Sequence, residues 1–238
     1  MKSQDARALG ESICNLIARG HVADAYALLS PVLAERISFR LLDVIGEQIG
    51  AVSLESANPF LEHIAAQNTM GGWVVVASAL KGQLERDLPG VFARCHNYVI
   101  LADIWYATDI LGERVPGPAL VTDFDRAFAA LAPWRADENR WVRRTVGVAV
   151  HLWAKRSRGA DEYSKQVKQL LTFLEPMFEE RDIDAIKGVG WGLKTLGKYY
   201  PDLIGDWLTQ QKNRPHRVLM MRKAITYLSK KQRALIGK

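Results

Sequence analysis

The sequence predicts an all-α protein, a solenoid of paired helices stacked side by side. Three observations support this fold class: apolar residues recur at helical spacing, no stretch alternates as a strand would, and one helical segment repeats further along the chain. With 238 residues, 48% of them hydrophobic, the chain can bury a large core. We therefore expect one helical-repeat domain over residues 1–238.

The predicted helices follow one another with short connections. Residues 3–20 carry apolar side chains on one face and end at Gly20. Residues 58–67 begin with Asn58 as the cap and Pro59 in the first turn, and residues 71–87 contain a valine run that continues into helix-favouring residues. The later segments that predict helices are residues 98–111, 118–131, 140–156, 162–178, 183–199, 201–211, and a basic helix or two from residue 217.

One helix pair repeats at an offset of 43 residues. The segments NRWVRRTVGVAVHLWAK and IDAIKGVGWGLKTLGKY align so that Gly147 falls on Gly190. A period in the forties with two helices per unit is typical of HEAT-like repeats, in which one helix of each pair lines a concave surface. The sequence therefore predicts HEAT-like pairs that form a concave basic groove.

The charge is unevenly distributed. The net charge is +6, but residues 1–185 carry 20 Lys and Arg against 24 Asp and Glu, whereas residues 186–238 carry 12 against 2. We interpret residues 186–238 as a basic C-terminal lobe whose composition favours nucleic acid or another polyanion as partner. The chain has no long apolar segment, and Cys14 and Cys95 match no disulfide or metal spacing, so we expect a cytoplasmic protein with reduced thiols.

Two helices carry a basic stripe apart from their apolar stripe, in equivalent positions of the repeat. Such stripes on neighbouring repeats suit a phosphate backbone. Trp191 lies on the second stripe beside Gly188, Gly190 and Gly192, which indicate that a neighbouring helix or a ligand approaches closely. The predicted phosphate-binding residues are Arg140, Arg144, His151 and Lys155 on the first stripe, Lys187, Lys194 and Lys198 on the second, and Arg222 in the basic lobe.

Asp103 interrupts the apolar segment CHNYVILADIW. If residues 98–111 form one helix, Asp103 shares the apolar side with Val99 and Ile110, and a buried carboxylate needs a partner or a positive charge. Three interpretations stay open: a solvated aspartate, a buried cap or ion-pair partner, and a carboxylate that faces a cationic groove.

The chain resembles the DNA alkylation repair family of AlkD-like DNA glycosylases, most firmly from residue 139 onward. The resemblance implies that Arg144 in NRWVRRT contacts a phosphate, that Trp191 in IKGVGWGL contacts the nucleoside, and that Asp103, upstream of ILGE, is the catalytic aspartate. Active members place a tryptophan four residues before the aspartate, where this chain has Val99. Tyr98 and Trp105 are therefore the aromatic residues expected to contact the nucleoside or its deoxyribose.

The resemblance implies a monomeric enzyme that binds double-stranded DNA and hydrolyses the N-glycosidic bond of cationic N3- or N7-alkylated purines. It implies no metal and no cofactor, and no membrane partner is expected; the protein would associate with the nucleoid when bound to DNA. Two alternatives stay open: a family member that binds damaged or branched DNA without catalysis, and a helical-repeat scaffold that binds another protein.

Overall fold

The computed structural model describes residues 1–237 and confirms the all-α helical-repeat fold. Within these residues no strand is present, and short turns connect successive helices. Several helices begin where the side chain of Ser, Thr, Asp or Asn accepts a hydrogen bond from a first-turn amide, which is how such caps satisfy amides that lack a helical partner.

The helices divide between two parts of the chain. Those before residue 116 are α1 (Ser3–Ile17), α2 (Val22–Ala34), α3 (Phe39–Ala51), α4 (Leu54–Ala66), α5 (Met70–Gln83), α6 (Leu88–Ala102) and α7 (Trp105–Arg114). Those from residue 116 onward are α8 (Pro116–Thr122), α9 (Phe124–Leu131), α10 (Arg140–Ser157), α11 (Ser164–Leu174), α12 (Ile183–Tyr199), α13 (Pro201–Gln211), α14 (Val218–Ala224) and α15 (Lys230–Ile236). Short 3₁₀ segments lie at Ala132–Ala136, Asp161–Tyr163 and Pro176–Glu179.

These helices form two compact units, Met1–Val115 and Pro116–Lys238. In the first unit, α1, α3, α5 and α7 pack in succession as one layer, and α2, α4 and α6 pack in succession as the other. In the second unit, α8, α10, α12 and α14 form one layer, while α11, α13 and α15 form the other and α9 packs on α8. Each unit thus repeats a helix pair, and the basic segment 186–238 lies within the second unit.

Glycines allow the backbones of two helix pairs to come very close. In the second unit, a Cβ atom added to Gly147 of α10 would lie 2.2 Å from the carbonyl carbon of Gly188 on α12, and one added to Gly192 would lie 2.7 Å from the carbonyl oxygen of Gly147. In the first unit, a Cβ atom on Gly46 of α3 would lie 2.5 Å from the carbonyl oxygen of Val75 on α5. The close approach predicted for Gly188 and Gly192 is therefore the packing of a neighbouring helix.

The structure divides two of the predicted helices at aspartates. The predicted helix 98–111 is wrong because α6 ends at Ala102 and α7 begins at Trp105, and the predicted helix 118–131 is divided at Asp123, which caps α9. The helix predicted at 58–67 begins earlier, at Leu54, with Ser53 as its cap, so Pro59 lies inside α4 and is exposed. No helix within residues 1–237 is long and apolar enough to cross a bilayer.

Candidate functional site

The two units differ in charge. Residues 1–115 contain 9 Lys and Arg against 13 Asp and Glu, a net of −4, whereas residues 116–238 contain 23 against 13, a net of +10. Because the second unit carries the whole positive excess of the chain, it is the part to search for a polyanion-binding surface.

Helices α12 and α14 together present a group of cations, which we call the cationic surface. Lys187 and Lys198 of α12 and Arg222 of α14 are exposed, and Lys194 and Lys223 are half-buried. The helical spacing of the three α12 lysines places them along one side of that helix, as the sequence predicted. The exposed ring of Tyr227 lies among them, 5.5 Å from the Nζ atom of Lys194 and 5.9 Å from that of Lys198.

Lys223 lies at the centre of this surface and was not among the predicted phosphate-binding residues. Its side chain covers Gly190, where an added Cβ atom would lie 2.6 Å from the Cδ atom of the lysine. Burial, followed by the positive charges of Lys194, Arg144 and other neighbouring cations, lowers the pKa of the Lys223 ammonium. The cations around Lys223 thus repel one another, and a bound anion would relieve that repulsion. The only sequence signal for Lys223 was its position in the basic C-terminal lobe, residues 186–238.

Arg144 is buried rather than displayed on an exposed stripe. Only 6% of the residue is exposed, its stem crosses α12 at Gly188, and its guanidinium donates a hydrogen bond to the carbonyl oxygen of Asp184 at 3.0 Å. Its charge acts on Lys223, so it contributes to the potential of the cationic surface from beneath. A role in phosphate binding stays a prediction, and the structure adds that this arginine is already held in place by α12.

His151 does not present the positive charge expected of a phosphate-binding residue. Burial, together with the nearby charge of Lys155, lowers its pKa to about 4, so the imidazole is neutral at pH 7. Its Nδ1 atom lies 2.7 Å from the Oγ1 atom of Thr195, and its ring stacks on Trp191 with centroids 3.8 Å apart. His151 is thus buried and neutral between α10 and α12, and its contact with a phosphate stays a prediction.

Trp191 is half-buried on α12, with one ring face covered by the His151 stack. Thr195 donates a hydrogen bond to the carbonyl oxygen of Trp191 at 3.0 Å while its oxygen contacts His151, so the three residues hold one another. The predicted tryptophan therefore lies beside the lysines of the cationic surface, with its ring orientation fixed.

The remaining predicted phosphate-binding residues lie on α10. Lys155 is exposed, and Arg140 is exposed but shares Asp184 with Lys187, at 4.0 Å and 3.1 Å respectively. In the basic lobe, Arg214 is paired with Glu175 at 3.1 Å and lies 3.5 Å from Glu179. Part of the positive charge that the sequence shows in this unit is therefore neutralised by neighbouring acids. As a result, the cationic surface of α12 and α14 is more compact than the two predicted stripes.

In the first unit, Asp103 is exposed and lies outside any helix. It follows the last residue of α6 with φ 43° and ψ 38°, the left-handed conformation that Asp and Asn tolerate better than most residues. The expectation of a carboxylate on the apolar side of a continuous helix is wrong because the backbone reverses its hand at this residue. The catalytic role of Asp103 that the resemblance implies stays a prediction.

The aromatic residues predicted around Asp103 divide into a buried one and an exposed one. Tyr98 is 6% exposed, packs against Trp73 with ring centroids 6.0 Å apart, and burial raises its pKa to about 12. The Tyr98 ring is therefore part of the core, and its contact with a nucleoside stays a prediction that this burial disfavours. Trp105, by contrast, is 55% exposed at the start of α7. Val99 is fully buried, and a tryptophan there would point into the core.

The carboxylate that follows an exposed tryptophan by four residues is Asp109. Both residues lie on α7, where this spacing places side chains on one face, and Asp109 is half-buried while Ala107, Ile110 and Leu111 form the core side of the helix. Asp109 was not predicted because residues 98–111 were expected to form one helix, with Val99 at the position of the family's tryptophan. The signal was present in the sequence as Trp105-Tyr-Ala-Thr-Asp109.

Within residues 1–237 no group of three or more His, Cys, Asp or Glu side chains is arranged to hold a metal ion. The cysteines are free thiols, and burial raises the pKa of both.

A search of curated proteins finds no match to this chain. The family model described as DNA alkylation repair enzyme matches residues 60–228, which include α7, α10, α12 and α14 with Trp105, Asp109, Arg144, Trp191 and Lys223. Because that match covers well over half of the chain, the protein belongs to the DNA alkylation repair enzyme family.

Proposed function

We propose that the protein is a DNA glycosylase that removes cationic N3- or N7-alkylated purines from double-stranded DNA by hydrolysing the N-glycosidic bond. The second unit supplies DNA binding through the cationic surface, and the first unit supplies the carboxylate. The observation that carries the proposal is that an exposed indole, Trp105, and a half-buried carboxylate, Asp109, stand four residues apart on α7, within the residues that match the family.

The chemistry needs little from the protein beyond a carboxylate. An alkylated purine already carries a positive charge, so the bond between C1′ and the base nitrogen breaks with its electron pair going to the base, and no general acid is required. The sugar that remains resembles an oxocarbenium ion, which a nearby carboxylate stabilises. The carboxylate also orients a water for attack on C1′ and accepts its proton.

We assign this role to Asp109 in preference to Asp103. Asp109 stands on a helix four residues after Trp105, so the backbone holds it relative to a ring that can contact a cationic nucleoside or its deoxyribose. Asp103 lies in a connection between two helices and is exposed, and exposure to water weakens the interaction of a carboxylate with a developing positive charge. We keep Trp105 as the aromatic contact and replace Tyr98, which belongs to the core.

DNA binding is assigned to Lys187, Lys194, Lys198, Arg222 and Lys223. Arg144 supports this surface from beneath, and Trp191 lies within it, stacked on His151. A surface of mutually repelling cations fits a polyanion better than it fits a neutral ligand, and phosphates bound there would release counterions. The proposal predicts that affinity for an undamaged duplex falls steeply as salt is raised.

The decisive experiment measures release of 7-methylguanine from duplex DNA by the wild type and by two matched variants, Asp109→Asn and Asp103→Asn. We expect Asp109→Asn to lower the rate of release by about 100-fold or more while DNA affinity is unchanged. Asp103→Asn is the control, because asparagine tolerates the same left-handed backbone and we expect release to stay within about threefold of wild type.

The opposite pattern would return the catalytic role to Asp103. If the wild type released no base but bound duplex DNA with strong salt dependence, the protein would be a DNA-binding family member without catalysis. Equal loss of activity and of thermal stability in Asp109→Asn would make Asp109 a structural residue.

A further inference from the structure

The second unit contains a groove on the layer opposite the cationic surface. It has a volume of about 660 Å³ and lies between α9, the 3₁₀ segment Ala132–Ala136 and α11. The cationic surface lies on α12 and α14, in the other layer of the same unit, so the groove serves neither DNA binding nor base release as proposed above. Its size falls in the range of ordinary ligand pockets.

Phenylalanine side chains form the floor of the groove. Phe128 is half-buried, and its ring lies 4.6 Å from that of Phe173, which is only 3% exposed, and 5.5 Å from that of Phe124, measured between centroids. The part of the Phe128 ring that stays accessible to water is stabilised when an apolar side chain covers it. The floor therefore favours a ligand with an apolar group.

Cations surround this floor. Lys165 and Lys168 are exposed and lie one turn apart on α11, while Arg135 lies over the Phe173 ring with its Cζ atom 4.5 Å from the centroid. Arg135 is held by hydrogen bonds that it donates to the carbonyl oxygens of Ala132 and Phe173, at 3.2 Å and 3.1 Å. Two of its five N–H groups are used in this way, and the described residues that line the groove include no acid.

We propose that this groove docks an acidic peptide segment of another protein, with an apolar side chain on the phenylalanine floor and carboxylates against Arg135, Lys165 and Lys168. Nucleic acid fits less well, because the Arg135 guanidinium covers a face of Phe173 on which a base would stack. The cations also cluster around one apolar floor instead of following a line, as a phosphate backbone requires. This proposal does not depend on the proposed glycosylase activity.

The test uses a fluorescein-labelled decapeptide of aspartates with one central phenylalanine, and fluorescence anisotropy with the full-length protein. Two control peptides separate the contributions: one has serine in place of the phenylalanine, and the other has asparagine in place of every aspartate. We expect the first peptide to bind and both controls to bind at least about tenfold more weakly, because the groove offers an apolar floor and a cationic rim together.

The protein variants locate the site. Lys165→Glu combined with Lys168→Glu should weaken peptide binding by about tenfold or more and leave duplex DNA binding unchanged. The matched control, Lys230→Glu with Lys231→Glu, reverses two exposed lysines of α15 in the same unit and should leave peptide binding within about twofold. Thermal unfolding of each variant checks that the fold is intact.

Three results would overturn the proposal. The first is absence of peptide binding at millimolar concentration. The second is equal binding of the serine peptide, or equal loss in the α15 control, since either would reduce the effect to general charge attraction. The third is loss of duplex DNA affinity in the α11 variant together with displacement of the peptide by DNA, which would make the groove part of the nucleic-acid interface.

Discussion

The two units share a close packing of two helices but differ in whether the cations near that packing have acidic partners. In each, two helices pack backbone to backbone at glycines, α3 against α5 and α10 against α12. In the first unit the cations around this contact have acidic partners: Arg114 is paired with Asp43 at 2.7 Å, and Lys81 with Glu47 at 3.0 Å. In the second unit Lys187 is paired with Asp184, but Lys194, Arg222 and Lys187 all act as like charges on Lys223. The shared architecture therefore says little about function, and the arrangement of charge says more.

The largest effect is expected where the shared packing is disturbed. Gly147→Ala adds a Cβ atom within 2.2 Å of backbone atoms that belong to a regular helix and cannot move alone, so the free energy of unfolding should fall by about 2 kcal/mol or more. Gly46→Ala should behave alike in the first unit. Gly205→Ala is the control, since its new Cβ would meet only the flexible side chain of Gln232 at 3.6 Å, and stability should rise by up to about 1 kcal/mol. Chemical denaturation measures all three, and a harmless Gly147→Ala would refute the close packing.

The next effect concerns the paired charges of the first unit. Asp43 accepts hydrogen bonds from Arg114 and from the hydroxyl of Ser78, at 2.7 Å and 2.6 Å. Asp43→Asn leaves a largely buried guanidinium without its carboxylate and should lower the free energy of unfolding by about 2 kcal/mol. Glu47→Gln removes the exposed pair with Lys81 and should cost less than about 0.5 kcal/mol. Similar losses in both variants would mean that burial does not distinguish the two ion pairs.

The buried histidine of the second unit should make stability depend on pH. The pKa of His151 is lowered from 6.5 to about 4 in the folded protein, so on acidification the unfolded chain takes up the proton first. Stability from this residue is present above pH 6.5 and is lost as pH falls toward 4, with a slope of up to about 1.4 kcal/mol per pH unit. His151→Gln should flatten this part of the profile. An unchanged profile would show that His151 titrates normally.

The smallest expected effect tests the charges of the cationic surface directly. Lys194→Gln should weaken duplex DNA binding by about threefold to tenfold and lower the slope of log affinity against log salt by about 0.9. Lys81→Gln in the first unit removes one lysine in the same way but leaves DNA binding unchanged, because that lysine is already paired with Glu47. If both variants weakened binding equally, net charge rather than the cationic surface would govern DNA affinity.

The sequence predicted the fold class because helical periodicity and the repeat are local patterns that many residues share. It predicted the lysines of α12 for the same reason, since their spacing places them on one side of a helix. It failed at Asp103, where one residue in the left-handed conformation ends a helix without the glycine or proline that would signal the break. That error directed the sequence prediction to Asp103, whereas we now propose Asp109 as the catalytic carboxylate.

Burial was the second property that periodicity could not supply. His151 and Arg144 fall on a basic stripe in the sequence, yet α12 approaches α10 so closely at Gly147 and Gly188 that both side chains are enclosed. Likewise, the helical pattern of α6 does not show whether the Tyr98 side chain faces the core or the solvent. Only the packing of its ring against Trp73 shows that it belongs to the core. The prominence of Lys223 also depends on tertiary structure, because α14 brings it over Gly190.

The contact between α10 and α12 also has an evolutionary consequence. If the α12 lysines bind DNA as proposed, substitution of one of them on the outer side of the helix changes DNA affinity gradually. Natural variation there can therefore adjust DNA binding without unfolding the protein. On the inner side, Gly147, Gly188 and Gly192 admit no larger residue, and insertion of one residue in either helix would bring side chains against backbone. We expect lineages of this protein to diversify the outer side of α12 and to inherit its inner side unchanged.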